Sequence, residues 1–257
     1  MKKIIIGLLF IIAVGFKPQN NAAYDVGERF VFKINYGFIN AGIATLEVQE
    51  ATLKNKNVFH VVGKGYTTGV SRFFFKVNDT YESYIDKETG NPYKFVRKID
   101  EGGYTKNQEG FFNQAENNVF VKDYKNKVEK TFPVTKNVQD ILSSFYYLRN
   151  YPNIDKMKPG EFMAIDMFFD DKITKFKLKF ISRENIKTKF GIVPTMIFRP
   201  LVQTGRVFKE EESLTIWISD DDNKIPIRIK ANLLVGSIKA DLNDYKGLKH
   251  PFIIKIK

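Results

Sequence analysis

The chain has 257 residues, of which 41 are Lys or Arg, 29 are Asp or Glu, 2 are His and none is Cys, so its formal net charge is +12. The lack of cysteine excludes a disulfide framework, and a chain of this length can bury a core without one. Two scattered histidines cannot supply a zinc site. No nucleophile motif accompanies either of them, which argues against a Ser-His hydrolase. We therefore predict no metal, no cofactor and no catalytic residue.

The first 22 residues have the pattern of a cleaved secretory signal. Lys2 and Lys3 precede an apolar run at residues 4–16. That run is shorter than the roughly 20 residues that a membrane-spanning helix needs. Small residues permit cleavage between about residues 15 and 23, and no cysteine is present for lipid attachment. The sequence predicts a periplasmic or secreted protein that is not a lipoprotein.

Much of the positive charge alternates with apolar side chains. Lys175, Lys177 and Lys179 flank Phe176 and Leu178, a pattern typical of the solvated face of a half-buried strand. Nucleic-acid surfaces have clustered basic stripes instead, so we predict no nucleic-acid partner. For an exported protein we expect a lipid or an anionic envelope glycan as partner, and peripheral contact with a membrane is a further possibility.

Alternating apolar and polar residues, separated by turn residues, dominate the chain from residue 30 onward. The connections are too short for crossover helices, so we predict an all-β, mainly antiparallel fold. The predicted strands cover residues 30–36, 44–48, 58–62, 74–85, 93–99, 118–124, 128–132, 162–169, 173–181, 193–198, 214–218, 225–233, 237–242 and 252–256.

Two parts of the chain are similar to each other. Gly27-Glu28 and Gly160-Glu161 each open a predicted strand, and their separation is 160 minus 27, or 133 residues. Acidic turns bounded by Pro92 and Pro226 nearly coincide at the same offset. We predict a single domain, residues 24–257, with similar halves at about 27–132 and 160–257. Two unrelated β meanders that merely share turns are the alternative.

A single amphipathic helix is predicted between these halves, at residues 137–150. Its apolar positions are spaced by three and four residues, which places them on one face. Asn137 is a plausible N-cap, with Asp140 in the first turn and Arg149 in the last turn, where each charge suits the helix dipole. We expect the helix to pack on the concave side of a long curved sheet or half-barrel. The apolar positions are Val138, Ile141, Leu142, Phe145 and Leu148.

Several short elements occur together between residues 24 and 242: Gly27-Glu28, Tyr36, Ala41-Gly42, Asp79, Tyr84-Ile85-Asp86, Pro92, Asp140-Ile141-Leu142-Ser143-Ser144, Leu148-Arg149, Pro159-Gly160-Glu161, Trp217-Ile218-Ser219-Asp220 and Ile225-Pro226. Together they resemble an exported bacterial family known as domain of unknown function 3108. That family has no assigned reaction, so the resemblance implies a compartment and a domain extent. The strand of Trp217 with its acidic turn is also loosely similar to periplasmic lipoprotein carriers, whose half-barrels hold acyl chains under a helical lid.

Aromatic side chains near the helix are candidate ligand contacts. An open, curved sheet would make them line an apolar cavity, whereas a filled interior would make them a solid core. Arg149 has two interpretations. It stabilises the helix dipole, or it forms a bidentate contact with an anionic headgroup. The candidate ligand-binding residues are Phe73, Phe75, Phe145, Tyr146, Arg149 and Trp217.

These features favour a non-catalytic envelope protein that binds a lipid or other apolar ligand, or that serves an assembly step. A protein or polysaccharide interaction module with a solid core is the first alternative, and an enzyme acting on envelope polysaccharide is the second. His60 falls on an ordinary strand position, and the acidic run at residues 220–223 is interpreted as a hairpin turn.

Overall fold

A computed structural model describes residues 23–201 and 214–255, and the predicted signal segment lies outside them. The described residues contain α1 Ser71–Phe74, α2 Ile141–Arg149 and a short 3-10 turn at Ile154–Lys156. The strands are β1 Arg29–Tyr36, β2 Ile39–Leu53, β3 Lys56–Thr67, β4 Asn78–Asp86, β5 Pro92–Glu101, β6 Tyr104–Asn113, β7 Asn118–Asp123, β8 Val128–Pro133, β9 Phe162–Phe169, β10 Lys172–Thr188, β11 Gly191–Pro200, β12 Leu214–Ser219, β13 Pro226–Asn232 and β14 Ser237–Lys246.

The strands form one 14-stranded antiparallel sheet in the order β8-β7-β6-β5-β4-β3-β2-β1-β14-β13-β12-β11-β10-β9. The first and last strands, β1 and β14, pair with each other in the interior of this order. Strands β8 and β9 are its two edges and do not pair with each other within the described residues, so the sheet is unclosed. The predicted all-β antiparallel fold class is confirmed.

Connections alternate between two ends of the sheet, because neighbouring strands run in opposite directions. The upper end carries the turns β1–β2, β3–β4, β5–β6, β7–β8, β9–β10 and β13–β14. The lower end carries the turns β2–β3, β4–β5, β6–β7, β10–β11 and β12–β13. Helix α2 also lies at the lower end, since it connects the end of β8 with the start of β9.

Tight turns fix the register of neighbouring strands. Lys54 and Asn55 link β2 to β3 with φ angles of 50° and 62°, and Asp170 and Asp171 link β9 to β10 with 48° and 62°. Two successive residues in this left-handed region produce a turn whose twist matches that of a hairpin. Asn and Asp tolerate the region better than most residues, which explains their place in these turns.

Helix α2 packs against both arms of the sheet at once. Tyr146 belongs to a buried cluster with Val48 and Ile85 of β2 and β4, while Leu148 belongs to another with Met163 and Phe198 of β9 and β11. These strands are far apart in the sheet order, so the sheet must curve around the helix. The predicted half-barrel with a helix on its concave side is therefore confirmed.

The two edges of the sheet approach each other beside α2. Gln139, just before α2, forms two backbone hydrogen bonds with β9. Its N–H donates to the carbonyl of Asp166 at 2.9 Å, and its carbonyl accepts the N–H of Phe168 at 2.8 Å. Phe168 then packs against Phe95 and Phe112 of β5 and β6. Side chains and the segment before α2 thus fill the seam that strand pairing leaves open.

The N-cap of α2 differs from the prediction. Asp140, not Asn137, caps the helix: its carboxylate accepts the N–H groups of Leu142 and Ser143, and its own N–H donates to the Ser143 hydroxyl at 2.8 Å. Asn137 has a φ of 59° and lies outside the helix. The reciprocal contact with Ser143 is a capping box, which outcompetes an Asn three residues earlier.

Two predicted strands were wrong in part, and one strand was missed. Residues 74–77 do not extend β4; instead α1 and a short link precede it. Strand β6 was missed, because its polar start at Tyr104 does not show clear alternation. The predicted strand at 252–256 is only an isolated bridge between Lys255 and Ile192 over its described part.

Two local features recur at corresponding positions of the predicted halves. The β4–β5 hairpin has a register shift between Tyr84 and Ile85, and the β12–β13 hairpin has one between Trp217 and Ile218. Gly27 and Gly160, which precede β1 and β9, have φ angles of 93° and 97°. A common origin of the halves stays a prediction.

A buried ion pair joins α2 to both halves. Arg149 donates to both carboxylate oxygens of Glu28, at 2.6 and 2.7 Å. Its remaining N–H groups donate to the carbonyls of Ala23 at 3.0 Å and Asn223 at 2.8 and 3.0 Å. Glu28 precedes β1 and Asn223 lies in the β12–β13 turn, so one guanidinium fixes three parts of the lower end.

Aromatic rings enclose this guanidinium. It lies 5.2 Å from the ring centre of Tyr146 and 5.4 Å from that of Tyr24. Burial lowers the pKa of Arg149, but the charge and hydrogen bonds of Glu28 outweigh it and the pKa is raised above its ordinary value. Burial also raises the pKa of the Tyr24 and Tyr146 hydroxyls. The guanidinium of Arg149 therefore stays charged in the folded protein.

We expect Arg149→Met to lower the free energy of unfolding by about 3–5 kcal/mol, because Glu28 would stay buried without its partner. The double variant Glu28→Leu/Arg149→Met should cost less than the sum of the two single variants, since no lone charge remains. Urea unfolding of the four proteins measures this coupling.

Lys122→Met is the matched control, since Lys122 forms an exposed pair with Glu129 at 3.1 Å. Its expected cost is below about 1 kcal/mol. Additive single effects at Glu28 and Arg149 would contradict the proposed coupling.

Candidate functional site

The six predicted ligand contacts do not form one site. Phe145, Tyr146 and Arg149 lie together in the core, with Tyr146 fully buried and Arg149 only 4% exposed. Trp217 is on β12, packs with a different cluster and donates its indole N–H to Glu184 at 2.6 Å. Their role as ligand contacts stays a prediction, but the helix face packs against filled clusters.

Phe73 and Phe75 lie elsewhere, on and just after α1 at the upper end. Phe73 is 91% exposed and Phe75 is 55% exposed. Phe75 lies within the strand predicted at 74–85, and the structure corrects that placement, because Phe75 follows α1 directly. The exposure of Phe73 and Phe75 is shared by apolar residues of neighbouring turns, here called the apolar rim. The rim consists of Phe38, Ile39, Val70, Phe73, Phe75, Tyr104, Leu234 and Val235.

Contacts between neighbouring turns make the rim continuous. The Tyr36 hydroxyl donates to the carbonyl of Val235 at 3.0 Å, which links the β1–β2 and β13–β14 turns. The Ser71 hydroxyl donates to the carbonyl of Asn40 at 3.2 Å, which links α1 to β2. The N–H of Gly102 donates to the carbonyl of Lys76 at 2.8 Å. The rim is thus one surface held in place by the sheet.

Basic side chains surround the rim. Lys64, Arg72, Lys76 and Lys98 are all exposed near the upper end. Lys76 pairs with Asp100 at 2.7 Å, on the strand that leads into the β5–β6 turn. Exposed apolar tips with basic neighbours form an amphiphilic surface, which is unusual for the solvent-facing end of a protein.

A small crevice lies inside the sheet at the start of α2. Arg97, Asp170 and the N-cap Asp140 line it, with a volume of about 10 Å³. Arg97 pairs with Asp170 at 2.8 Å and lies 4.2 Å from the ring centre of Phe169, yet its buried Nε–H has no partner among the described atoms. That space suits about one water molecule and excludes an organic substrate.

Asp140 combines burial with several hydrogen bonds. The Ser83 hydroxyl donates to its carboxylate at 2.6 Å, and the first turn of α2 supplies two N–H groups. Burial raises the pKa of Asp140 to about 6, although these hydrogen bonds lower it. Asp140 therefore links β4 to α2 and titrates within the ordinary working range of proteins.

A larger cleft opens on the lower end, between the β2–β3 turn and the β6–β7 turn. Its volume is about 440 Å³. Leu53, Tyr93 and Phe111 supply apolar surface, while Lys54 and Lys56 are exposed beside it. The dimensions fall within the range of small-molecule pockets, about 300–1,000 Å³.

Catalytic constellations are weak in the described chain. His60 lies on β3, contacts Glu82 at 2.8 Å and stacks on Tyr84 at 4.3 Å between ring centres. No group of three His, Cys, Asp or Glu residues within the described ranges could hold a metal ion. None of the described helices is long and apolar enough to cross a bilayer.

Sequence reasoning missed the rim and the cleft. A signal for the rim was present, because Phe38 and Leu234-Val235 adjoin turn glycines, where polar residues are usual. The cleft had no such signal, because its walls combine β2 and its turn with β5 and β6, which lie later in the sequence.

Comparison with known proteins identifies relatives of unassigned activity. The model of a family described as "Protein of unknown function (DUF3108)" matches residues 31–243. No curated protein matches the chain. A beta-barrel-like protein of the domain of unknown function DUF1849 from Brucella abortus is similar in structure, with a TM-score of 0.57 and 12% identity over 89% of this chain and 100% of that one. This likeness supports the fold alone.

Two other solved structures are more distant. One is a protein of Parabacteroides distasonis described as a lipoprotein, with a TM-score of 0.35 and 10% identity over 88% of this chain and 98% of that one. The other is a Bacteroides fragilis protein described as exported, with a YmcC-like fold, a TM-score of 0.29 and 11% identity over 87% and 97%.

Asp140→Asn should change how stability depends on pH. The folded protein holds the Asp140 proton more tightly than the unfolded chain, so this stabilisation is full below about pH 4 and is lost as pH rises through about 6. The difference amounts to about 3 kcal/mol. Asn keeps the cap without the charge, so the variant should gain stability relative to the wild type between pH 4 and pH 7.

Urea unfolding at several pH values measures that change. The exposed Asp222→Asn variant is the matched control and should follow the wild type. If the free energies of unfolding of the wild type and Asp140→Asn differ by the same amount at pH 4 and pH 7, the proposed titration of Asp140 is wrong.

Proposed function

We propose that this chain, which belongs to the DUF3108 family of proteins of unknown function, is a non-catalytic envelope protein that docks on an anionic lipid surface through its apolar rim. The single observation that carries the proposal is the concentration of exposed apolar side chains in consecutive turns of one end. A soluble surface rarely keeps such a patch without a partner.

The apolar side chains supply the first part of the binding energy. Phe38 and Phe73 project from the β1–β2 turn and α1 and are almost wholly exposed. Fully burying one such side chain contributes about 1.5–3 kcal/mol, and a lipid surface accepts side chains into the headgroup and acyl boundary. Two or three inserted rings would suffice for reversible attachment.

The neighbouring cations supply the second part. A lysine or arginine near an anionic membrane contributes about 1 kcal/mol. Arg72 lies between Val70 and Phe73 in sequence, so its charge would reach the headgroups when those side chains insert. Without Lys2, Lys3 and Lys17 of the predicted leader, the formal charge of +12 falls by three to +9, which favours approach to an anionic surface.

Rigidity lowers the cost of docking. The rim turns are held by paired strands and by the hydrogen bonds of Tyr36 and Ser71. Little conformational entropy is therefore lost on binding. A protein partner with an apolar groove is the competing occupant, but it gives no reason for the exposed lysines around the rim.

The test uses the processed protein, without its leader, and phosphatidylglycerol/phosphatidylethanolamine vesicles. We expect cosedimentation that weakens with salt and is weaker on pure phosphatidylcholine. Phe38→Ser/Phe73→Ser should lower the affinity by about tenfold or more, given the burial energy of two rings.

Phe162→Ser is the matched control, because Phe162 is 48% exposed but begins β9 at the lower end. It should bind as the wild type does. Absence of binding to either vesicle, or equal losses in both variants, would refute the proposed docking.

A further inference from the structure

The lower-end cleft combines three features that rarely coincide without a ligand. It is about 440 Å³ in volume, its walls are mainly apolar, and cationic side chains stand at its margin. It lies at the opposite end of the sheet from the apolar rim, so vesicle docking would leave it open to solvent.

The apolar wall comes from three strands. Leu53 ends β2, Tyr93 lies on β5, and Phe111 and Phe112 lie on β6. Phe112 also contributes to a buried cluster, which anchors the floor of the cleft in the core. The wall is therefore rigid and suits an aliphatic or aromatic body.

The cations are held at the margin by the β2–β3 turn. Lys56 donates to the Tyr93 hydroxyl at 3.0 Å, and that hydroxyl donates to Asp86 at 2.5 Å. Lys54 occupies a left-handed turn position with a φ of 50° and is exposed. Because Lys56 is engaged with the Tyr93 hydroxyl, Lys54 is the lysine better placed to receive an anion.

Gln114 forms a fixed part of the cleft wall. Its amide nitrogen donates to the carbonyls of Pro92 at 3.3 Å and Val138 at 3.2 Å. Carbonyl oxygens only accept, so these two contacts fix the orientation of the amide. The opposite atom, Oε1, is buried below the surface of the cleft, and the exposed charged groups at this site are those of the lysines.

We propose that the cleft binds an anionic amphiphile, with an alkyl body against Tyr93 and Phe111 and a carboxylate or phosphate beside Lys54. The apolar walls account for the body, and the lysines account for the charge. This site is separate from the docking rim and does not depend on it.

The probe is 3-hydroxydodecanoate below its micelle concentration, titrated into the ¹⁵N-labelled processed protein. We expect saturable shifts of the amide signals of Leu53, Lys54 and Ala115. Dodecyltrimethylammonium has a similar tail and the opposite charge, and should bind at least about tenfold more weakly, since its charge faces the lysines.

Two variants locate the site. Ala115→Trp places a large ring in the cleft from an exposed turn position and should abolish the shifts, while its own spectrum reports that the fold is intact. Lys54→Glu should weaken binding by about tenfold. Lys127→Glu is its matched control, with a φ of 56° in an upper-end turn, and should bind normally.

Shifts confined to Phe38 and Phe73 would overturn the proposal, because they would place the probe on the rim. So would equal binding of the cationic probe, or wild-type affinity in Ala115→Trp. Vesicle docking can succeed or fail independently of each of these results.

Discussion

The Arg149–Glu28 pair is the constraint on which the lower end depends. One guanidinium, wholly surrounded by protein, satisfies a carboxylate before β1, the start of the described chain at Ala23 and the β12–β13 turn at Asn223. Asn223 in turn receives the N–H of His250 and donates to its carbonyl. Helix, first strand, second half and C-terminal segment therefore share one charged centre. A buried charge of this kind costs much to leave unpaired, so it specifies a single arrangement of these parts.

The two ends of the molecule have opposite characters. At the lower end, α2, Ala23 and the β12–β13 turn are tied by buried polar contacts. At the upper end, exposed side chains such as Tyr36 and Ser71 bind backbone carbonyls of neighbouring turns, while apolar side chains face outward. The same strands run from one end of the curved sheet to the other, so the two ends belong to one rigid unit. This polarity is the basis for assigning the two ends different partners.

Local patterns predicted the local elements. The spacing of Ile141, Leu142, Phe145 and Leu148 predicted α2, and alternation predicted most strands, because both signals depend on neighbouring residues. The pairing of Arg149 with Glu28 was not predictable, since 121 residues separate them and either charge suits an exposed position equally well. The placement of residues 74 and 75 was wrong because a local pattern was ambiguous. Three successive phenylalanines resemble a buried strand, but in the structure they lie in the link between β3 and β4, outside the sheet. The candidate sites depend on turns brought together by the sheet, which no single pattern encodes.

The pairing of β1 with β14 has a consequence for biogenesis. Arg29 lies opposite Lys246. The first strand to be synthesised therefore has one edge unpaired until the last strand has been synthesised. Until then, β1 to β8 can form a meander with an unprotected edge of eight residues at β1. Open edges of this kind recruit other chains, and pairing between distant segments is slow. A chain made from its N-terminus therefore exposes the β1 edge until β14 is in place, and any factor that shields β1 during that interval would protect it from pairing with other chains.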